Sequence, residues 1–301
     1  MEQGSADQEA AQWRIVLVFA ALYIIWGSTY LAIKVAIETI PPFLMAMTRF
    51  LIAGIILYAF SRLRGIERPS VNDWKHSFIV GGLLVAGGNG LVSFAELWIE
   101  SNMAALLIAG NPLFMTLFAW WGKVQQRPSL KAFLSLGIGF LGVGFLVGFR
   151  DASDSSGSLL GSALVILAII SWSIGSVYSK RNPVKLDAWM QSGMQMICGG
   201  LVCLLAGSLA GEFSMVDVSA ISLRSWISFL YLIFFGSLAG FTSYVYLLRH
   251  RSPSAVSSHA YVNPVVAVLL GWLILGETLT LGGMIGSGLV LIAVFELLRQ
   301  K

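Results

Sequence analysis

The stretch 102-NMAALLIAGNPLFMTLFAWWG-122 is answered 152 residues later by 254-SAVSSHAYVNPVVAVLLGWLI-274. Each run is apolar over roughly the 20 residues an α-helix needs to cross a hydrocarbon core of about 30 Å. Each also carries an Asn-Pro pair near its middle, Asn111-Pro112 and Asn263-Pro264. The same offset lays Trp74 on Trp226, while an offset of 146 lays Trp26 on Trp172 and Lys34 on Lys180. These matches describe a duplication in which the first, third and fourth apolar runs of one half recur as the sixth, eighth and ninth. A repeat unit with an odd number of spans must enter the bilayer from the opposite side in its second copy, so the halves are expected to be inverted.

Outward from these two runs, apolar segments fill the 301-residue chain. Their expected bounds are 14–35, 43–62, 75–98, 102–122 and 130–149, then 159–179, 186–207, 224–248, 253–275 and 280–298. The reading is an all-α membrane protein of ten transmembrane helices: a first five-helix repeat over 14–149, a Ser-rich connector over 150–158, and a second, inverted five-helix repeat over 159–298. Composition agrees, because 57% hydrophobic and 11% charged residues leave too little polar surface to face water. The first thirteen residues carry Glu2, Asp7 and Glu9 instead of a basic leader, so the first apolar run is expected to be a retained span.

Charge orients the spans. With the N-terminus in the cytoplasm, 15 of the 19 Lys and Arg residues fall on the inner side and only Lys34, Arg49, Arg150 and Arg224 on the outer. Cationic loops are retained on the cytoplasmic face, so both termini are expected there. The net charge of +4 is scattered over short loops, which speaks for topology signals and against a nucleic-acid partner. Cys198 and Cys203, five apart in one apolar run, point to different helix faces and suit neither a disulfide nor a metal site.

Five strings, ALYIIWGSTY (21–30), PPFLMAMTRF (41–50), GNGLVSFAE (88–96), SWSIGSVY (171–178) and AYVNPVVAVLLG (260–271), resemble the drug/metabolite transporter superfamily, and within it the EamA-type, YedA-like exporters. The resemblance runs over nearly the whole chain. It implies a multi-pass protein of the cell inner (plasma) membrane with a central cavity, moving a small-molecule substrate such as an amino acid, a related metabolite, a pigment or a toxic cation.

Polar residues within the apolar runs are the candidate cargo contacts. Proline in mid-span removes a backbone donor, so Asn111 and Asn263 each sit at an expected kink facing protein, water or cargo. Recapping of the broken helix is the alternative role for each. Trp26, Tyr30 and Lys34 share one helix face, as do Trp172, Ser176 and Lys180, giving an aromatic, a hydroxyl and an ammonium per repeat. A basic collar at each cavity mouth would suit a carboxylate; snorkelling to the headgroups is the alternative. Asn89, Ser93, Glu96 and Glu100 form a polar stripe that the second half replaces with Phe241, Val245, Leu248 and Ser252. Lys34, Arg49 and Glu96 lie at one depth and are expected to form a charge cluster, because an unpaired carboxylate in the bilayer costs several kcal/mol. Gln191, Gln195 and His259 are candidates for the inward half of the cavity. Glycine pairs four apart, among them Gly144 with Gly148, Gly236 with Gly240 and Gly282 with Gly286, read as close helix packing.

No phosphate-binding loop, HExxH, paired-Cys spacing or Gly-x-Ser-x-Gly occurs, so no cofactor and no familiar enzyme chemistry is expected. The reading is a secondary transporter exporting small amphipathic metabolites, foremost amino acids or related compounds, by alternating access. An exporter of toxic cations or drugs, a membrane-embedded enzyme and a channel are the alternatives. The charge asymmetry predicts that a reporter enzyme active only outside the cytoplasm, fused after Lys301, stays silent, while a fluorescent reporter that matures only inside lights up. Activity of the external reporter would overturn the orientation.

Overall fold

A computed structural model describes residues 2–99, 101–147, 156–275 and 281–299, and every element among them is helical. Glu100 and residues 150–155 of the expected connector lie outside the described residues, as does Gly148. In chain order the helices are α1 (Glu2–Ala36), α2 (Pro42–Leu63), α3 (Val71–Ala95), α4 (Ser101–Ile108), α5 (Asn111–Trp121) and α6 (Leu130–Val147). There follow α7 (Ser156–Arg181), α8 (Ala188–Leu209), α9 (Leu223–His250), α10 (Pro253–Val256), α11 (His259–Leu275) and α12 (Leu281–Arg299). Within the described residues, six helices are long and apolar enough to cross a bilayer, and Leu106–Trp121, Leu130–Phe145 and Met284–Glu296 are shorter apolar helices. Ile24, Leu31, Ile55 and Phe60 are more than 40% exposed, as expected of side chains whose solvent is lipid. The protein is therefore an all-α, multi-pass membrane protein.

Helix starts follow local chemistry. Ser70 and Asp73 make a reciprocal capping box at the head of α3, and Asp187 accepts from the Met190 N–H, at 2.8 Å, at the head of α8. The head of α2 has Pro41 at its cap and no donor-satisfying side chain of its own. Glu212, from the turn after α8, supplies the missing cap by accepting from Phe43 N at 3.1 Å and Leu44 N at 2.8 Å.

Two departures from ideal helix matter for the site. Gly82–Gly90 in the middle of α3 and Leu232–Phe241 in the middle of α9 are π-helical, so each hydrogen bond there spans one more residue and the turn is wider. The fourth apolar run is broken at Ala109–Gly110, with Asn111 opening α5 and Pro112 in its first turn, where a proline lacks no needed donor. In the ninth run Pro264 lies inside α11, and a break comes earlier, at Ser257–Ser258. The serine hydroxyls there donate back to the Ser254 and Ala255 carbonyls at 2.7 and 2.6 Å, competing with helix continuation.

Packing interleaves the chain. The most extensive helix pairs are α2 with α8 and α6 with α12. The leading helix α1 packs chiefly on α9 and α11, whereas α7 packs chiefly on α3, α4 and α5. Where α2 crosses α8, a Cβ on Gly54 would stand 2.9 Å from the Gly193 carbonyl, and one on Gly193 would stand 3.0 Å from that of Gly54. Such backbone-to-backbone approach admits no larger residue. Gly54→Leu is expected to destabilise the protein by about 1–3 kcal/mol, read as a lower thermal midpoint in detergent, while Ile55→Leu on the exposed face leaves it unchanged. Equal midpoints for the two variants would contradict the crossing.

Candidate central cavity and its family

One side chain each from α1 and α7 bridges the interleaved helices. Trp26 and Trp172, matched in the sequence, meet edge to face with ring centroids 5.5 Å apart. Tyr244 on α9 stacks on Trp26 at 5.3 Å, and His259 meets Trp26 edge to face at 4.8 Å. Polar tips lock these rings. Trp172 Nε1 donates to the Tyr244 hydroxyl at 2.8 Å, Ser176 lies 2.6 Å from the same hydroxyl, and Trp26 Nε1 donates to the Gly236 carbonyl in the π-helical turn of α9 at 3.2 Å.

Beside this knot lies a cavity of about 80 Å³, large enough to hold waters or part of a small cargo. Trp26, Tyr30, Asn89, Asn111, Trp172 and His259, six of the sequence-derived candidates, line it together with Arg49. Both π-helical segments contribute, through Gly88 and Asn89 of α3 and Gly236 and Phe241 of α9. Asn111 accepts from Ser173 at 3.1 Å, and Asn89 accepts from Arg49 Nη2 at 2.9 Å. Arg49 is only 3% exposed and stands over the Phe50 ring at 4.2 Å; its Nε and Nη1 have no partner among the described residues. A buried guanidinium with two unmet donors is a ready clamp for a carboxylate.

Other candidates sit elsewhere. Ser176 is absorbed by Tyr244 and the Trp172 carbonyl, so it is not on the cavity wall. Ser93 and Gln195 are buried outside the cavity lining. Asn263 is buried behind Tyr30, whose hydroxyl lies beside its side chain. Lys34 does not join the cavity: its Nζ donates to the Glu96 carbonyl at 2.6 Å and the Ile99 carbonyl at 3.5 Å, just past the end of α3. Lys180 does the same at the end of α9, donating to the Leu248 and Arg249 carbonyls at 2.8 and 3.0 Å. Unpaired carbonyls at a helix end attract a cation, so both lysines act as helix-end ties in place of a free collar. The expected cluster of Lys34, Arg49 and Glu96 is likewise rearranged. Arg49 turns to Asn89, Lys34 to backbone, and neither Glu96 carboxyl oxygen has a partner among the described residues.

Sequence reading missed Tyr244, Phe50 and Phe241. A lone aromatic in an apolar helix carries no signal; only the Trp172 N–H, which needs an acceptor when buried, hinted at a partner such as Tyr244.

This architecture has known counterparts. The model of the EamA-like transporter family matches residues 13–148 and again 159–299. The chain belongs to that family. Among EamA relatives, it is 39% identical over 277 residues to the uncharacterized inner membrane transporter YedA of Escherichia coli strain K12, covering 91% of this chain and 87% of that one. It is 25% identical to the uncharacterized transporter YoaV of Bacillus subtilis strain 168, over 94% and 96% of the two chains, and 27% identical to Protein PecM of Dickeya dadantii strain 3937, over 92% and 91%. A solved crystal structure shares the fold with a TM-score of 0.75 at 18% identity, spanning 95% of this chain and 97% of that chain. The protein is thus a YedA-like EamA membrane transporter of the inner membrane, handling a small-molecule substrate in a lipid environment.

Tyr244→Phe is expected to cost about 1–3 kcal/mol, because the variant strands the buried Trp172 N–H, and to shift tryptophan fluorescence. Tyr246→Phe, outside the knot, serves as the control; identical thermal midpoints for the two variants would contradict the knot.

Proposed function

We propose that the protein is a secondary transporter that exports small amphipathic metabolites bearing a carboxylate, foremost amino acids or related compounds, by alternating access. The observation that carries this reading is Arg49: a buried cation with two donors unmet, set beside aromatic walls from Trp26, Phe50 and Trp172. A carboxylate on the guanidinium and an apolar body against the rings would satisfy both features of the cavity. The same buried positive charge disfavours a cationic cargo.

The architecture we attach to this function is ten transmembrane helices in two inverted repeats, 14–149 and 159–298, with both termini cytoplasmic. In it α4 with α5, and α10 with α11, each make one broken span. The exchange of contacts supports it, since α1 lies on α9 and α11 as α7 lies on α3, α4 and α5. Two bundles result, each holding the leading helix of one half and the third and fourth spans of the other. Rocking one bundle against the other about the Trp26–Trp172 contact would open the cavity to each side in turn. Asn89 orients Arg49, while Tyr30, Asn111 and His259 complete the polar wall.

In proteoliposomes preloaded with a panel of labelled amino acids, efflux of at least one is expected from the parent protein. Arg49→Met should slow it about tenfold or more, the worth of a charge-assisted pair, and Asn89→Ala less. Undiminished efflux by a folded Arg49→Met would remove the carboxylate clamp.

A further inference from the structure

We infer that Glu96 is a proton-binding site governing closure of the outer mouth, where Lys34 ties α1 to the end of α3. The inference rests on the transport reading above and adds a pH control on its outer mouth.

Glu96 is wholly buried, and neither carboxyl oxygen meets a donor among the described residues. The cation at hand, Lys34, donates instead to the main-chain carbonyls of Glu96 and Ile99. The surroundings offer no substitute. From α1 comes the Tyr30 hydroxyl, close to both Asn263 and Glu96 but bonded to neither Glu96 oxygen; from α2 comes Arg49, turned to Asn89; from α11 comes His259, whose ring stands edge-on to Trp26 and Tyr244 with neither nitrogen bonded to Glu96. Neither α4 nor the part of α7 that packs here, residues 161–169, brings a titratable side chain. A carboxylate sealed in such a place without a partner is strongly disfavoured, so the closed arrangement belongs to the neutral acid. Once the mouth opens and water enters, the group can ionise.

The lysine ties give this chemistry a direction. Lys34 belongs to the bundle of α1, α9 and α11 and its carbonyl partners follow α3 of the other bundle; Lys180 on α7 reaches across to α9 in the reverse sense. The two ties therefore bridge the bundles at opposite mouths. Leu248 stands at the place in the second tie that Glu96 holds in the first, so only the outer tie is titratable. Closing the outer mouth takes one proton from the outer water onto the carboxylate, forming an O–H bond, and opening the mouth returns that proton to the outer water. Outer pH thereby sets how readily the outer mouth closes.

The test uses the full chain with Cys198→Ala and Cys203→Ala, and Ile33→Cys as a probe on the cavity wall. A membrane-impermeant maleimide is applied from the outer side of oriented vesicles, and each rate is divided by that of the denatured chain at the same pH to remove thiol ionisation. The normalised rate is expected to fall several-fold as outer pH is lowered, to stay low at every pH in Glu96→Gln, and to stay high in Lys34→Met. A parental rate that does not vary with pH, or a Glu96→Gln variant with the parental profile, overturns the proton site while leaving transport intact. A probe that the same reagent, applied in turn to right-side-out and inside-out vesicles, reaches from neither side at any pH overturns alternating access, and this inference with it.

Discussion

Trp26 and Trp172 meet at the centre of the protein because the leading helix of each half leaves its own half and packs on the other, and the remaining features depend on that contact. Each indole occupies space that only a widened or side-chain-free neighbour can offer. A Cβ on Gly240 would strike the Trp26 ring, and one on Gly88 would stand 2.5 Å from Trp172. Both glycines lie in π-helical segments, so the wide turns of α3 and α9 serve at once to seat an indole and to open the cavity wall.

Lipid imposes a second constraint, since every backbone donor and acceptor displaced from a helix must be met inside the protein. The solutions come largely from the partner helix or from the far half of the chain. Glu212 caps α2 across 169 residues, Gly236 uses the Trp26 N–H across 210, and Lys34 and Lys180 meet the carbonyls that end α3 and α9. These ties hold the interleaved arrangement at the points where its helices stop or widen, which are also the points a moving transporter must release.

Much of the helix inventory was legible in the sequence, because apolar length is a direct statement about lipid: α2, α7, α8 and α9 lie within three residues of their expected bounds at each end. Trp26 and Trp172 were legible as a pair because each falls at the same place in its apolar run, 146 residues apart. The break at Ser257–Ser258 was not, since it depends on two hydroxyls choosing local carbonyls over helix continuation. Within the candidate site, six lining residues follow from polar and aromatic residues in apolar runs. Arg49 appeared in the sequence as a partner for Glu96; its turn toward Asn89 depends on the π-helical segment that carries Asn89 inward, and hydrophobic periodicity does not encode that segment. Lys34 and Lys180 show the complementary error, where a long charged side chain at a helix end found backbone carbonyls before it found cargo.

On the proposed alternating access, two interleaved bundles rock about the indole contact, so that one mouth opens as the other closes. Spin labels at Ile37 and Leu97 report the mouth tied by Lys34, and labels at Arg181 and His250 report the mouth tied by Lys180. Pulsed electron-spin distance measurements on both pairs, in lipid and across added amino acids and pH, test the claim most directly. Opposed changes are expected, with the first distance lengthening in the conditions that shorten the second. Distances that stay fixed, or that lengthen together, would contradict it.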